Sequence, residues 1–286
     1  MKTILKILFL FLLFVSVTVV GQETIKAPEK YTAHNKGKFF VTWGGNRDKF
    51  TKSDIHFKGA DYDFTLYDVK SHDVPKGWHV DYINPTRMSI PQTNFQLGYF
   101  ITDHYSVSIG EDHMKYVMTQ NQVAIIKGNI GSNYPDFAGT YPNIGVSAID
   151  LSDGKFLKFE HTNGLNYVNI NVARVDDISK LFRLPNTDKF QINITEGIGG
   201  GFLYPRTDAT LLGMQRHDEF HVAGYGFDAK AGFNFIIYKY FFLQTQIKGG
   251  YINMPNIQTT YRDSDSASQH FLFFQTIINV GANFRI

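Results

Sequence analysis

The chain has 286 residues, 28 Lys and Arg against 26 Asp and Glu, and no cysteine. The two surplus cations, Lys2 and Lys6, fall within residues 1–21, so the remainder is formally neutral and lacks the basic footprint of a nucleic-acid partner. The absence of thiols excludes disulfide staples and thiolate metal centres, and 26 Phe, 16 Tyr and 25 Gly suit a β-rich chain.

Residues 1–21 read as a signal peptide. Lys2 and Lys6 give a basic start, Ile7–Val15 an apolar stretch, and Val19-Val20-Gly21 a small-residue cleavage site. The apolar run is short for a spanning helix, and no later stretch is long and apolar enough. Residues 22–37 are polar and predict a flexible periplasmic tail.

From 38 to 286 the chain repeats a two-residue rhythm, which places alternate side chains on opposite faces of a strand. Eight spanning strands are predicted at 38–46, 93–101, 105–118, 165–175, 190–202, 219–237, 241–252 and 269–286. In the last, Leu272, Phe274, Thr276, Ile278, Val280 and Ala282 oppose Ile277, Asn279, Gly281 and Asn283. The links at 102–104 and 238–240 are short, whereas 46–92, 119–164, 204–218 and 253–268 are long. A medium link, 176–189, predicts a short helix near 177–184. Alternating short and long connections are those of a membrane barrel with periplasmic turns and extracellular loops. Segments 54–57 and 61–69 carry charge on both faces, which favours an extracellular extension. As a spanning hairpin they would raise the count to ten.

Alternation alone also fits a soluble barrel, so the polar face decides. It is mostly Gly, Asn, Gln, Ser and Thr, whereas a water-facing wall would be rich in Lys and Glu. The predicted fold is therefore all-β: an antiparallel transmembrane β-barrel with apolar residues outward, long extracellular loops and a polar lumen plugged by side chains. In architecture it resembles the small OmpA/OmpX-like and OmpW-like outer-membrane proteins. That resemblance implies an outer-membrane setting among lipids, with function in the loops.

Glu111 and Glu196 continue the outward parity of their strands, where a carboxylate would face lipid. Glycine beside each predicts a β-bulge that turns the acid inward. Met114, Tyr116 and Met118 would then point outward and His113 and Lys115 inward. Glu111, His113, Lys115, Lys230 and Lys248, with Glu196 and Asp228, become a lumen network that either satisfies itself or holds a ligand.

Glu160-His161-Thr162-Asn163-Gly164 resembles the His-x-Ser-Asn segment of the lipid A deacylases and outer-membrane phospholipases. The resemblance implies a lipid acyl hydrolase using His161, Thr162 and an acid such as Glu196. However, Asn163 stands where the nucleophile belongs, and Thr162 faces away from His161 on an extended strand. The competing reading is a turn at Asn163-Gly164 with His161 at a loop edge. His217-Asp218-Glu219-Phe220-His221 lacks zinc-protease spacing, so no metal centre and no cofactor are expected. A surface-loop binding or structural role follows, with loops 46–92 and 119–164 meeting an extracellular ligand or protein. Catalysis, or a carrier passing a small apolar ligand sideways near Gly199–Gly201, is the alternative.

Overall fold

The computed structural model describes residues 34–77, 79, 91–142 and 145–286. The signal peptide and the tail up to residue 33 lie outside these residues. In chain order the strands are β1 (Phe39–Phe50), β2 (Ser53–Gly59), β3 (Tyr62–Val69), β4 (Ser71–Asp73), β5 (Thr93–Phe100) and β6 (Tyr105–Met118). Next come β7 (Val123–Ile130), β8 (Gly139–Tyr141), β9 (Ala148–Asp150), β10 (Leu157–Asp177) and β11 (Phe190–Leu203). The last are β12 (Arg206–Leu211), β13 (His217–Phe220), β14 (Gly224–Ile237), β15 (Phe241–Gln258) and β16 (Ser266–Phe284). The helix expected near 177–184 is a single 3-10 turn, Ser179–Phe182.

Eight strands, β1-β5-β6-β10-β11-β14-β15-β16, pair antiparallel, and β1 pairs again with β16, from Phe39 opposite Phe284 to Phe50 opposite Phe273. The ring is closed, so its strands leave no unpaired edge. β2 and β3 stand outside it, on the tops of β16 and β7, as the extension reading expected.

Around most of the ring the outward side chains are apolar. Phe227 is 59% exposed, Ile278 52%, and Phe233 and Phe274 each 43%. The inward side chains at the same levels are buried polar groups, including Gln96, Ser108, Asn193, Gln246 and Asn279. Beneath them, at the end with the short turns, Phe40, Phe100, Val175, Ile236 and Phe242 make a small apolar cluster. The Phe40 and Phe242 rings lie over the cross-strand partners Gly98 and Gly281, where a Cβ would collide with them. Phe273 covers Gly250 in the same way. Glycine here makes room for an inward ring.

Above the ring the same sheet continues: β12 and β13 extend it from the top of β10, and β2, β3 and β7 extend it from the top of β16. They enclose a large apolar core. Phe57 meets Phe159 edge-on at 5.7 Å, Phe64 lies 5.5 Å from Phe156, and Tyr116 stacks on Phe271 at 5.1 Å. Outward positions of this cap carry Asp54, Lys58, Lys158, Glu160, Arg206 and Asp208. The cap is thus apolar inside and charged outside, the reverse of the ring below.

Two predicted bulges are absent. β6 keeps one phase throughout: Ser106, Ser108 and Asp112 are buried inward, and so are Met114, Tyr116 and Met118, which were expected outward. β11 pairs without interruption through Glu196 on both sides. The irregularity lies instead on β10, between His161 and Leu165, which pair with Tyr116 and Met114. Two extra residues sit there, with Gly164 at φ +139° supplying the backbone turn. Asn163-Gly164 lies in this bulge and does not form a hairpin turn. His161 is fully buried rather than at a loop edge.

Candidate functional site

The first candidate group is the lumen network, just below the cap core. Lys248 and Asp112 form an ion pair at which both side chains are buried. Asp112 also accepts hydrogen bonds from the Asn94 amide and, at 3.2 Å, from Asn169 Nδ2. Tyr167 donates its hydroxyl to Asp228 Oδ2 at 2.9 Å, and Lys230, the cross-strand partner of Lys248, is also buried. A buried ion pair is stable only when further hydrogen bonds complete it, and these amides and the phenol do so.

Membership differs from the expected set. Lys230, Lys248 and Asp228 are present. Glu111 and Lys115 are not, because without a bulge their odd parity keeps them half-buried on the outer wall. His113 shares that parity and is covered above the ring, where its Nδ1 meets Asn166 Oδ1 at 2.7 Å. Glu196 faces outward across the ladder from Arg174. The member that sequence reasoning missed is Asp112. Unbroken alternation from Ser106 and Ser108 places it inward.

The hydrolase residues do not converge. His161 points into the cap core, its Nδ1 2.9 Å from Thr207 Oγ1 and its ring packed between Tyr116 and Phe159. Thr162 lies in the bulge and donates its hydroxyl to Glu160 Oε1 at 2.9 Å. Glu196 pairs with Arg174, thirteen positions beyond His161 on β10 and on the order of 40 Å along the strand. A base must reach the proton it removes, and neither the Thr162 hydroxyl nor the Glu196 carboxylate lies beside the His161 ring.

His217 and His221 have separate surroundings. His217 is buried against the Tyr261 ring, and burial pushes its pKa below the ordinary 6.5. His221 Nε2 meets Asn256 Nδ2 at 3.2 Å. In the loops, Asp61 accepts from the Asn133 backbone N–H at 2.9 Å, and Asp265 from the Thr260 hydroxyl at 2.9 Å. Through Gly199–Gly201 the ladders to β10 and β14 are continuous, so the wall has no gap where a sideways carrier would open.

No protein-family model matches the chain. No curated protein matches it either. Among solved structures it is similar to the outer membrane protein OprG from Pseudomonas aeruginosa, with 8% identity over 90% of this chain and 100% of that chain, TM-score 0.37. Ail, the attachment invasion locus protein of Yersinia pestis, is 11% identical over 87% of this chain and 99% of that chain, TM-score 0.33. Neisserial surface protein A is 10% identical over 84% of this chain and 98% of that chain, TM-score 0.28. The chain's own geometry defines its class. A closed antiparallel ring with apolar residues outside and polar groups inside is the architecture of a transmembrane β-barrel.

Proposed function

We propose that the protein is an integral outer-membrane barrel whose cap is extracellular and acts as a binding or structural surface. The observation carrying this reading is the character of the interior, with apolar clusters at both ends and the buried Lys248–Asp112 pair between them. A barrel filled in this way supports a platform better than a pore, and loops on a rigid scaffold are where binding concentrates. Loops 46–92 and 119–164 supply most of the cap and are the surface offered to an extracellular ligand or protein.

The cysteine-free chain makes the test direct. Val146→Cys, exposed in the cap, should react with a membrane-impermeant maleimide on intact cells. Lys239→Cys, in the short turn between β14 and β15, should react only after lysis. The opposite labelling pattern would sink the orientation. Steady ion conductance of the purified protein in planar bilayers would sink the platform reading.

A further inference from the structure

Asp48, near the top of β1, is a buried carboxylate that no cation contacts among the described residues. Its backbone N–H donates to Asp73 Oδ2 at 2.9 Å, which brings a second, half-buried carboxylate from β4 beside it. The fully buried Gln92 amide is wedged between the two. Its Nε2 lies 3.0 Å from Asp48 Oδ2, 2.5 Å from Asp73 Oδ1 and 3.3 Å from Asn46 Oδ1. One amide nitrogen with two protons thus faces three oxygens, while Gln92 Oε1 is buried without a partner. Gln275 stands opposite Asp48 in the ladder, and the nearest buried lysine, Lys248, is bonded to Asp112.

We propose that Asp48, Asp73, Asn46 and Gln92 bind a calcium-class divalent cation at the mouth of the barrel. Turning the Gln92 amide by 180° places its orphaned oxygen among the carboxylates, and the nitrogen's excess of acceptors becomes a set of cation ligands. The donors are then all oxygen, from two carboxylates and two carboxamides, which suits a hard cation rather than zinc. The cation neutralises the two neighbouring carboxylates, Asp48 and Asp73. It also ties β1 to both ends of the segment joining β4 to β5, since Asp73 closes one end and Gln92 the other. This goes beyond the platform reading and does not depend on which partner the cap meets.

The test uses the full-length folded protein in detergent, stripped with EDTA and dialysed to equilibrium against calcium chloride at constant ionic strength. One calcium should bind per chain, with half-saturation at about 0.1–1 mM, the range of extracellular modules, and magnesium should compete weakly. At ten times that concentration the unfolding midpoint should rise by about 3 °C. Asp48→Asn and Gln92→Met, each checked for native circular dichroism, should weaken binding at least tenfold. No calcium bound to the unaltered protein at about 10 mM would overturn the proposal. So would equal binding by a folded Asp48→Asn variant. An Asp48→Asn variant that is more stable and indifferent to calcium would assign a proton to the pair and reject the cation.

Discussion

β6, β10 and β16 each run from the ring into the cap, and along each the inward face changes character. On β10, Leu157, Phe159, Leu165 and Tyr167 point inward in the cap, and Asn169 and Asn171 point inward in the ring. On β16, Phe271 and Phe273 give way to Gln275 and Asn279. The outward face does the opposite, from Lys158 and Glu160 to Ile170 and Val172 on β10. What changes is the surrounding solvent. In water, burying apolar surface drives the cap's rings together. In lipid that drive disappears, and the inward face must satisfy its own polar groups. The inward parity is kept along β6 and β16 and, across its two-residue bulge, along β10, so one strand serves two solvents.

The largest expected effect breaks the polar half. Lys248→Met removes the cation bonded to the buried Asp112 and should cost about 3–5 kcal/mol in urea unfolding from vesicles. Adding Asp112→Asn should recover most of it. The matching change in the apolar half, Phe57→Ala, should cost about 3–5 kcal/mol, read as early trypsin cleavage in the cap while the ring stays protected. Loss of protection in the ring as well would show that the halves do not melt separately. A pair of surface exchanges sharpens the contrast: Ile278→Lys on the belt should cost about 2–4 kcal/mol, and Lys158→Ile on the cap within about 0.5 kcal/mol. The smallest effect is a pH dependence. Burial holds His217 below 6.5, so the unfolded chain takes up the proton first. The contribution of His217 to stability is therefore full above about pH 6.5 and falls as pH drops below it. His217→Phe should flatten that slope in thermal melts.

The ring was legible because eight segments carry their own period-2 signal and short links fix their order. Phe227, Phe233, Phe274 and Ile278 lie outward, as that signal requires. The upper halves of the strands were misread for a definite reason. When apolar residues move to the other parity, as at Met114, Tyr116 and Met118, either the backbone has slipped by one residue or the medium outside has changed. The local sequence is the same in both cases. Choosing the slip sent Glu111 inward and hid Asp112. The lysines Lys230 and Lys248 were found because their stretch of β14 and β15 lies wholly in the ring. His161 was misplaced because a two-residue bulge beside an Asn-Gly pair looks like a hairpin.

That bulge sets a counting rule for β10. Residues Thr162, Asn163 and Gly164 hold an even surplus over the partner strand, so Leu157, Phe159 and His161 keep the inward face that Leu165 and Tyr167 begin. Removing one of the three would exchange the two faces of everything above it, putting Leu157 and Phe159 into water and Lys158 and Glu160 into the core. Removing two would close the ladder and leave the faces alone. Chain length at this point is read modulo two, so a shorter deletion does more harm than a longer one.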